Sequence, residues 1–305
     1  MPAAASLPSS SLAAPNVIEW LNSFRRSEFR RHSQNGEDGV LQHIFQLANA
    51  SDRYYVEFGV ENGMECNTRW LREHGWTGLL MDGQVENLAI NLHRELIDES
   101  SIVPLLHKHG VPPRFDLLSV DVDCKDWWLT RRILHAGFRP QVIVNEVNTH
   151  PFLAPPVAKT VARNQTERYC TQPFMTSYQG ASLSAFSGLY KAYGYRMVYC
   201  ESRGVNCFGI REDLLNLFVG DNNAEAVADA LSDAKLYRPP RFGYHRRGHP
   251  PDPLKRPWTN VSAARAIADN GGVGDDVDTA PPEQQHMRAT DLHFAGMRSA
   301  NRAGR

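Results

Sequence analysis

The segment Tyr54-Tyr55-Val56-Glu57-Phe58-Gly59-Val60-Glu61-Asn62-Gly63 joins an apolar run ending in an acid to a turn punctuated by glycine. A helix-like stretch follows, and then a second apolar run, from Gly78 to Gly83, that contains Asp82 near its end. Glycine takes positive φ values and lets the backbone approach a ligand, which a Cβ atom would block. Together the two runs predict the first β-α-β unit of a nucleoside-binding α/β fold.

The spacing and charge of this segment indicate the ligand. Asp82 lies nineteen positions after Gly63, close to the roughly 20-residue interval at which a doubly wound fold brings a carboxylate to ribose hydroxyls. The turn lacks the Gly-x-Gly-x-x-Gly spacing that grips a pyrophosphate, and its acids would repel phosphate. S-adenosylmethionine carries a sulfonium and an ammonium group and no phosphate, so we expect it rather than NAD. The residues predicted to bind this cofactor are Glu57, Gly59, Glu61, Gly63, Asp82 and Gly83.

Composition is typical of a globular protein with a sizeable core. The chain has 305 residues, of which 42% are hydrophobic and 22% charged, and its formal net charge is -1 at pH 7. Nucleic-acid binding needs clustered Lys and Arg, so this balance argues against a nucleic-acid partner. No run reaches the ~18 consecutive apolar residues of a membrane span. We therefore expect a small-molecule acceptor as the partner, with no nucleic acid and no membrane.

The five cysteines show no Cys-x-x-Cys pair and no regular framework. An odd count in a chain of this length is typical of a reducing compartment. We expect Cys66, Cys200 and Cys207 to be unpaired small residues, and the protein to be cytoplasmic. The first fifteen residues show neither the basic nor the apolar region of a secretory signal.

Strands and helices alternate along most of the chain. The predicted strands cover residues 54–58, 77–81, 101–103, 115–123, 141–147, 196–200 and 206–210. The predicted helices cover residues 17–31, 40–48, 66–74, 86–96, 126–136 and 180–193. This order predicts a three-layer, Rossmann-like α/β fold with a mostly parallel sheet, one antiparallel strand and a site at the carboxyl ends of the strands.

Changes in hydrophobic periodicity along the sequence also indicate where domains begin and end. Residues 1–16, rich in Ala, Ser and Pro, are predicted to be a disordered extension, and residues 17–237 the Rossmann-like domain. Residues 149–178 interrupt that domain without clear periodicity, as a lid or substrate loop does. Pro, Gly, Asp and Ala dominate residues 238–305, which we predict to be a mostly disordered tail.

A second group of acids follows the later strands. Alternation puts Asp121 and Asp123 on one side of their strand end, and Glu146 ends the next strand. These three residues could hold Mg²⁺ in an oxygen cage. Alternatively, Asp121 or Asp123 acts as a catalytic general base without metal, or the acids cap the helix that begins near Asp126. His150 is a further candidate base or ligand. Alternatively, it is an ordinary loop histidine whose hydrogen bonds are made within the protein.

Several segments carry a family resemblance. They are Ser33-Gln34-Asn35-Gly36-Glu37-Asp38-Gly39, Glu57 to Gly63, Glu65 to Arg69, Asp116 to Asp123 and Gly204-Val205-Asn206. Over about residues 33–213 the chain resembles a poorly characterised group of methyltransferase-like proteins near the FkbM-type methyltransferases.

The resemblance implies a class I, S-adenosylmethionine-dependent fold. Glu57, Gly59 and Gly63 would match the first cofactor motif, and Asp82 would match the ribose acid. The middle glycine of that motif is absent, because Val60-Glu61-Asn62 precedes Gly63.

The prediction for function is O-methylation of a small polar or sugar-like acceptor. The alternative is a non-catalytic Rossmann-like module that binds a metal or a nucleotide-sugar ligand, which the missing middle glycine favours. An NAD-dependent enzyme is a third possibility, disfavoured by the glycine spacing.

Overall fold

A computed structural model describes residues 17–48, 50–164, 170, 175–219, 224–262 and 266–267. The strands are β1 Tyr54–Phe58, β2 Thr77–Asp82, β3 Leu92–Arg94, β4 Arg114–Val120, β5 Arg139–Glu146, β6 Lys159–Val161, β7 Tyr195–Cys200, β8 Asn206–Arg211 and β9 Trp258–Asn260. The helices are α1 Val17–Ser27, α2 Glu37–Ala48, α3 Arg69–Glu73, α4 Ile102–Lys108, α5 Asp126–His135, α6 Leu183–Ala192, α7 Glu212–Val219, α8 Ala224–Ala230 and α9 Asp233–Leu236.

In the described part of the chain, one sheet has the strand order β3-β2-β1-β4-β5-β8-β7. Strand β1 pairs in parallel with β2 and β4, whereas β8 is antiparallel to β5 and β7. Within this sheet β8 alone runs against the rest. The predicted Rossmann-like α/β fold with a mostly parallel sheet and one antiparallel strand is therefore confirmed.

The direction of strand addition reverses between β1 and β4. Strands β2 and β3 are added on one side of β1, and β4 and β5 on the other. Because such crossovers are right-handed, α3 and α5 lie on opposite faces of the sheet, which makes three layers. A doubly wound fold binds its ligand outside the carboxyl ends of the strands at such a reversal. The loops after β1 and β4 therefore border the expected site.

The central strands are buried on both faces, as is typical of a parallel sheet under two helical layers. Every residue of β4 after Arg114 is buried, and so are the six interior residues of β5. Helix α5 places the fully buried Trp127 against the sheet, and its indole donates a hydrogen bond to the carbonyl of Ala185 at 3.0 Å.

Two of the predicted elements are wrong. The predicted helix over 86–96 is a single 3-10 turn, Leu88–Ile90, followed by β3. Asn91, in the left-handed region at φ 55°, ends this turn and donates from Nδ2 to the carbonyl of Gly78. The predicted strand over 101–103 is the start of α4, because the Asp98 carboxylate accepts the amides of Ser100 and Ser101 and directs the chain into a helix.

Residues 238–262, which we name the C-terminal strap, belong to the segment predicted as a mostly disordered tail and contain packed structure. Strand β9 of the strap pairs antiparallel with β6, which lies inside the predicted loop insertion. The guanidinium of Arg256 lies buried on the Asp252 carboxylate, with Nη2–Oδ1 at 2.9 Å and Nε–Oδ2 at 3.0 Å, and also donates to Thr176. Backbone pairing and a buried ion pair order the strap. It lacks the apolar periodicity by which a folded segment is recognised in a sequence. The predictions for residues 1–16 and 268–305 lie outside the described residues.

The prediction of unpaired cysteines is wrong for Cys200 and Cys207. Cys200 bonds to Cys207, since the β7–β8 register sets the two residues opposite each other, and Cys124 bonds to Cys170. Cys66 is free and buried. The cytoplasmic location remains a prediction, although the two disulfides remove the argument for it from unpaired cysteines. Among the described residues, no helix combines the length and the apolar character needed to cross a bilayer.

We expect Arg256→Met to lower the free energy of unfolding by about 3 to 5 kcal/mol, because it leaves the largely buried Asp252 carboxylate without its cation. Chemical denaturation measures this change. Arg30→Met is the matched control: Arg30 pairs with Glu65 while 59% of its side chain is exposed, so the loss should stay below about 1 kcal/mol. Similar losses in the two variants would contradict the packed strap.

Candidate functional site

A crevice opens at the carboxyl ends of β1 and β4, where the direction of strand addition reverses. It encloses about 470 Å³ of empty space, part of which is continuous with solvent. Its lining residues are Gln34, Glu57, Gly59, Glu61, Glu65, Cys66, Asn67, Asp121 and Asn206. Four of these carry carboxylates, and no Lys, Arg or His of the described chain is among them. We call this space the first crevice.

In the turn after β1, every second residue from Gly59 to Gly63 has its backbone in the left-handed region. The φ angles of Gly59, Glu61 and Gly63 are 74°, 48° and 72°. A Cβ atom on Gly59 would lie 1.6 Å from the carbonyl oxygen of Asp121, so the turns after β1 and β4 meet at Gly59. Glu61 occupies the position of the missing middle glycine and still takes the conformation that glycine favours.

Asp82 holds this turn. Its Oδ2 accepts the amide of Glu61 at 2.9 Å, and its Oδ1 accepts the amide of Gln84 at 2.7 Å. The second acid of the predicted cofactor motif is therefore joined directly to the first loop. A carboxylate oxygen accepts more than one hydrogen bond, so these contacts leave acceptor capacity for a hydroxyl.

Glu57 forms the floor of the first crevice and organises the segment before α3. Its oxygens accept the amides of Asn67 at 2.8 Å and Thr68 at 3.0 Å, and the hydroxyls of Thr68 at 2.6 Å and Ser119 at 3.2 Å. Burial raises the pKa of Glu57, while these hydrogen bonds oppose the rise. The side chain therefore positions the residues around it, Asn67 among them.

The predicted cofactor-binding residues divide into two groups. Glu57, Gly59 and Glu61 line the first crevice, and Asp82 is bonded to Glu61 beside it. Gly63 and Gly83 are not lining residues. A Cβ on Gly63 would lie 2.7 Å from the side chain of Ile90, whereas one on Gly83 would meet no described atom within 4 Å.

Two lining residues that sequence reasoning did not single out are Gln34 and Asn206. Asn206 donates from Nδ2 to Glu37 at 2.8 Å, and its buried Oδ1 has no hydrogen-bond partner among the described residues. Gln34 stands on a turn closed by Asp38, whose Oδ2 accepts three successive amides, those of Arg31, His32 and Ser33. Both belong to segments that carry the family resemblance, which was the available signal.

Three carboxylates meet beyond β4 and β5. One oxygen each of Asp121, Asp123 and Glu146 lies within 4.8 Å of the others. Strand β4 ends at Val120, so the expected alternation does not bring Asp121 and Asp123 together; the loop does, with Asp123 at φ 64°. Burial raises the pKa of Asp121 and Glu146 well above the ordinary values; the neighbouring carboxylates add to this, and the two groups share a hydrogen bond.

Asp126 has a separate role in this loop. Its side chain is fully buried, and its Oδ1 accepts the amide of Val122 at 2.9 Å. Burial raises the pKa of Asp126 to about 7. Asp126 therefore secures the loop before α5 through this hydrogen bond.

A second crevice lies on the other side of this carboxylate cluster. It encloses about 280 Å³ of empty space. Its lining residues are Glu146, Val147, Asn148, Thr149, His150, Ser177, Gln179, Pro240, Phe242, Gly248 and His249. Asp121 lines the first crevice and Glu146 the second, so the cluster connects the two spaces.

Neither a protein family nor a curated protein sequence matches the chain. Among solved structures, a candidate O-methyltransferase from Klebsiella pneumoniae is similar over 67% of this chain and 92% of its own, with 13% identity and a TM-score of 0.40. An O-methyltransferase from Bacillus cereus in complex with SAH is similar over 66% and 93%, with 16% identity and a TM-score of 0.36.

The methyltransferase MycE of mycinamycin biosynthesis, in complex with Mg, SAH and mycinamycin VI, is similar over 56% of this chain and 48% of its own. The identity is 14% and the TM-score is 0.33. Because these likenesses are distant, the function below is argued from the crevices themselves.

We expect Gly59→Ala to lower the free energy of unfolding by about 2–5 kcal/mol. A residue with a Cβ atom pays about 1–2 kcal/mol in the left-handed region, and crowding against Asp121 adds about 1–3 kcal/mol. Gly83→Ala is the matched control and should change stability by less than about 0.5 kcal/mol. Equal midpoints of chemical denaturation for the two variants would contradict the close approach of the two loops.

Proposed function

We propose that the protein is an S-adenosylmethionine-dependent methyltransferase that acts on a hydroxyl oxygen of a small polar or sugar-like acceptor. The observation that carries this proposal is the charge of the first crevice. Carboxylates line it at the point where a doubly wound fold binds nucleosides, and no cation of the described chain lies among them to receive a pyrophosphate. A cationic adenosyl cofactor suits such a crevice better than NAD.

The polar groups of the first crevice fit this cofactor. The unpartnered Oδ1 of Asn206 and the nearby carboxylates are acceptors, which an ammonium group needs. Gln34 and Asn67 carry amide donors suited to the cofactor carboxylate. Asp82, at the end of β2, has the position from which an acid reaches ribose hydroxyls.

The conformation of Glu61 weighs against the alternative of a non-catalytic module. That alternative was favoured by the missing middle glycine, which would leave the backbone less free to turn. Glu61 nevertheless takes a φ of 48°, with its amide held by Asp82. The turn therefore keeps its shape at a cost of about 1–2 kcal/mol.

Asp121, Asp123 and Glu146 are proposed as the catalytic and metal-binding group. Close carboxylate oxygens are the ligands that Mg²⁺ takes in proteins, and the cation would neutralise the mutual repulsion that helps to raise the pKa of Asp121 and of Glu146. Bound Mg²⁺ would polarise the acceptor hydroxyl and orient it. Without metal, the raised pKa of Asp121 suits it to take the hydroxyl proton as a general base.

In either case the chain supplies mainly alignment. Gly59 fixes the turns after β1 and β4 against each other, so that the cofactor crevice and Asp121 keep one relative position. Holding two reactants in line converts a bimolecular step into an effectively unimolecular one. The second crevice, on the far side of the cluster, would place the acceptor.

Asp82→Asn should weaken S-adenosylmethionine binding by at least about tenfold, or about 1.4 kcal/mol, because an amide loses charge and one acceptor oxygen. Isothermal titration calorimetry measures the affinity. Asp98→Asn is the matched control, since Asp98 also accepts backbone amides but lies outside both crevices. Unchanged affinity in Asp82→Asn, with wild-type binding present, would overturn the ribose role.

Glu146→Gln should abolish Mg²⁺ binding and spare S-adenosylmethionine binding, because it removes one charge from the cluster but none from the first crevice. Titrations of each ligand separately would show this. Glu99→Gln removes a carboxylate that pairs with Arg163 elsewhere, and should leave both titrations unchanged. Mg²⁺ binding of equal strength in Glu146→Gln and wild type would place the metal elsewhere.

A further inference from the structure

The C-terminal strap carries exposed positive charge beside the second crevice. Between Arg238 and Pro251 the sequence contains four arginines and no acid. Three of these arginines are exposed, as is one arginine of the β7–β8 turn. We name this set the arginine patch: Arg203, Arg241, Arg246 and Arg247.

Backbone hydrogen bonds fix the patch to the folded protein. The amide of Arg241 donates to the carbonyl of Arg203 at 2.8 Å, which joins the strap to the β7–β8 turn. The other two arginines stand on a loop that is closed by a 2.9 Å hydrogen bond from the amide of Gly248 to the carbonyl of Phe242. The charges of the patch are therefore held on a defined surface and do not belong to a solvated linker.

The closed loop has an unusual backbone conformation. Two consecutive residues with side chains, His245 and Arg246, take φ angles of 51° and 58°. Residues other than glycine adopt this left-handed region rarely, and those that do are concentrated at sites that bind ligands. The shape of the loop therefore indicates a binding segment.

The patch lacks the carboxylates that usually neutralise surface arginines. Within the described part of the chain, none of its four guanidinium groups forms an ion pair. The nearest acids in the sequence are used elsewhere. Asp252 binds Arg256, and the buried Glu201 accepts three backbone amides of its own turn. Because like charges held close together repel one another, the patch favours an anion.

Phosphate is the anion that suits arginine best. The planar guanidinium group donates two parallel hydrogen bonds to two phosphate oxygens. Extended polyanions need more contacts than four arginines offer, about 6–10 phosphates for a DNA-binding protein, and the net charge of this chain is -1. A small ligand is favoured by the neighbouring strap residues Phe242, Gly248 and His249, which line the second crevice.

We propose that the arginine patch binds a phosphate group of the methyl acceptor, whose hydroxyl-bearing part enters the second crevice toward Glu146. The role of this ligand as acceptor rests on the proposed methyl transfer, whereas phosphate binding by the patch does not. The phosphate stays outside the crevice, beside the strap, and the reacting hydroxyl lies at the carboxylate cluster. The acceptor class is therefore a phosphorylated polar compound.

Isothermal titration calorimetry at low ionic strength tests the patch in the full-length protein. The phosphorylated probes are glucose 1-phosphate, glucose 6-phosphate and UDP-glucose, and the comparisons without phosphate are glucose and glucuronate. We expect at least one phosphorylated probe to bind at least about tenfold more tightly than either comparison, because only phosphate matches several guanidinium groups. Added salt should weaken that binding, since the patch is exposed.

The double variant Arg246→Gln/Arg247→Gln should weaken binding of the phosphorylated probe at least about fivefold, because it removes two charge-assisted donors. Arg25→Gln/Arg26→Gln is the matched control. These two exposed neighbours in the last turn of α1 carry the same charge, and their loss should leave the affinity unchanged. Equal losses in the two double variants would overturn the proposal, and so would equal affinity of the wild type for probes with and without phosphate.

Two further titrations distinguish the alternatives. Tighter binding of phosphatidylglycerol vesicles or of a single-stranded DNA oligonucleotide than of every phosphorylated probe would overturn the proposal in favour of a polyanionic partner. S-adenosylmethionine binds in the first crevice, so its titration also shows that each variant is folded. Cofactor binding without binding of any phosphorylated probe would refute the patch alone. Probe binding without cofactor binding would refute the methyl transfer and support the phosphate site.

Discussion

The contact between Gly59 and the carbonyl oxygen of Asp121 constrains the whole functional end of the molecule. It lies where the direction of strand addition reverses, so the loops after β1 and β4 must part toward opposite faces while still touching. No side chain fits between them. The crevice exists because these loops diverge from one fixed point, and the carboxylate cluster begins at the residue that supplies the carbonyl.

Carboxylates hold several loops in place around that point by accepting backbone hydrogen bonds. Asp116 accepts the amides of Ser51, Asp52 and Tyr54 and so fixes the entry to β1. Glu201 accepts three amides of the β7–β8 turn, and burial raises the pKa of Glu201 to about 7. A buried acid that accepts several backbone amides replaces the regular hydrogen bonding that loops lack. Acidic residues here therefore serve two purposes, because Asp116 and Glu201 hold loops while others, such as Asp121 and Glu146, line the crevices.

The central strands of the parallel sheet and the glycine-containing turn after β1 could be predicted from the sequence, because buried parallel strands are continuous apolar runs and glycine marks the turns between them. Asp121, Asp123 and Glu146 were also predicted to lie close together, but the reason differs from the predicted one. Asp121 and Asp123 meet through a loop in which Asp123 has a positive φ, and not through strand alternation.

Other parts depend on contacts that the local sequence pattern does not indicate. The strap has no apolar period, and its order comes from pairing with β6 and from the ion pair of Arg256 with Asp252. Asn91 ends the turn before β3 by donating a side-chain hydrogen bond to the carbonyl of Gly78. Cys200 and Cys207 come together through strand register. Arg256 and Asp252 are only four residues apart, and Cys200 and Cys207 only seven, but no local sequence pattern marks either pair.

The position of the strap at the end of the described chain separates the two crevices in the order of synthesis. All residues that line the first crevice lie between Gln34 and Asn206, whereas the second also needs residues 240 to 249. Chains emerge from the ribosome with the N-terminal part first. The first crevice can therefore form from the part of the chain that emerges first, whereas the second is complete only after the strap has emerged and β9 has paired with β6.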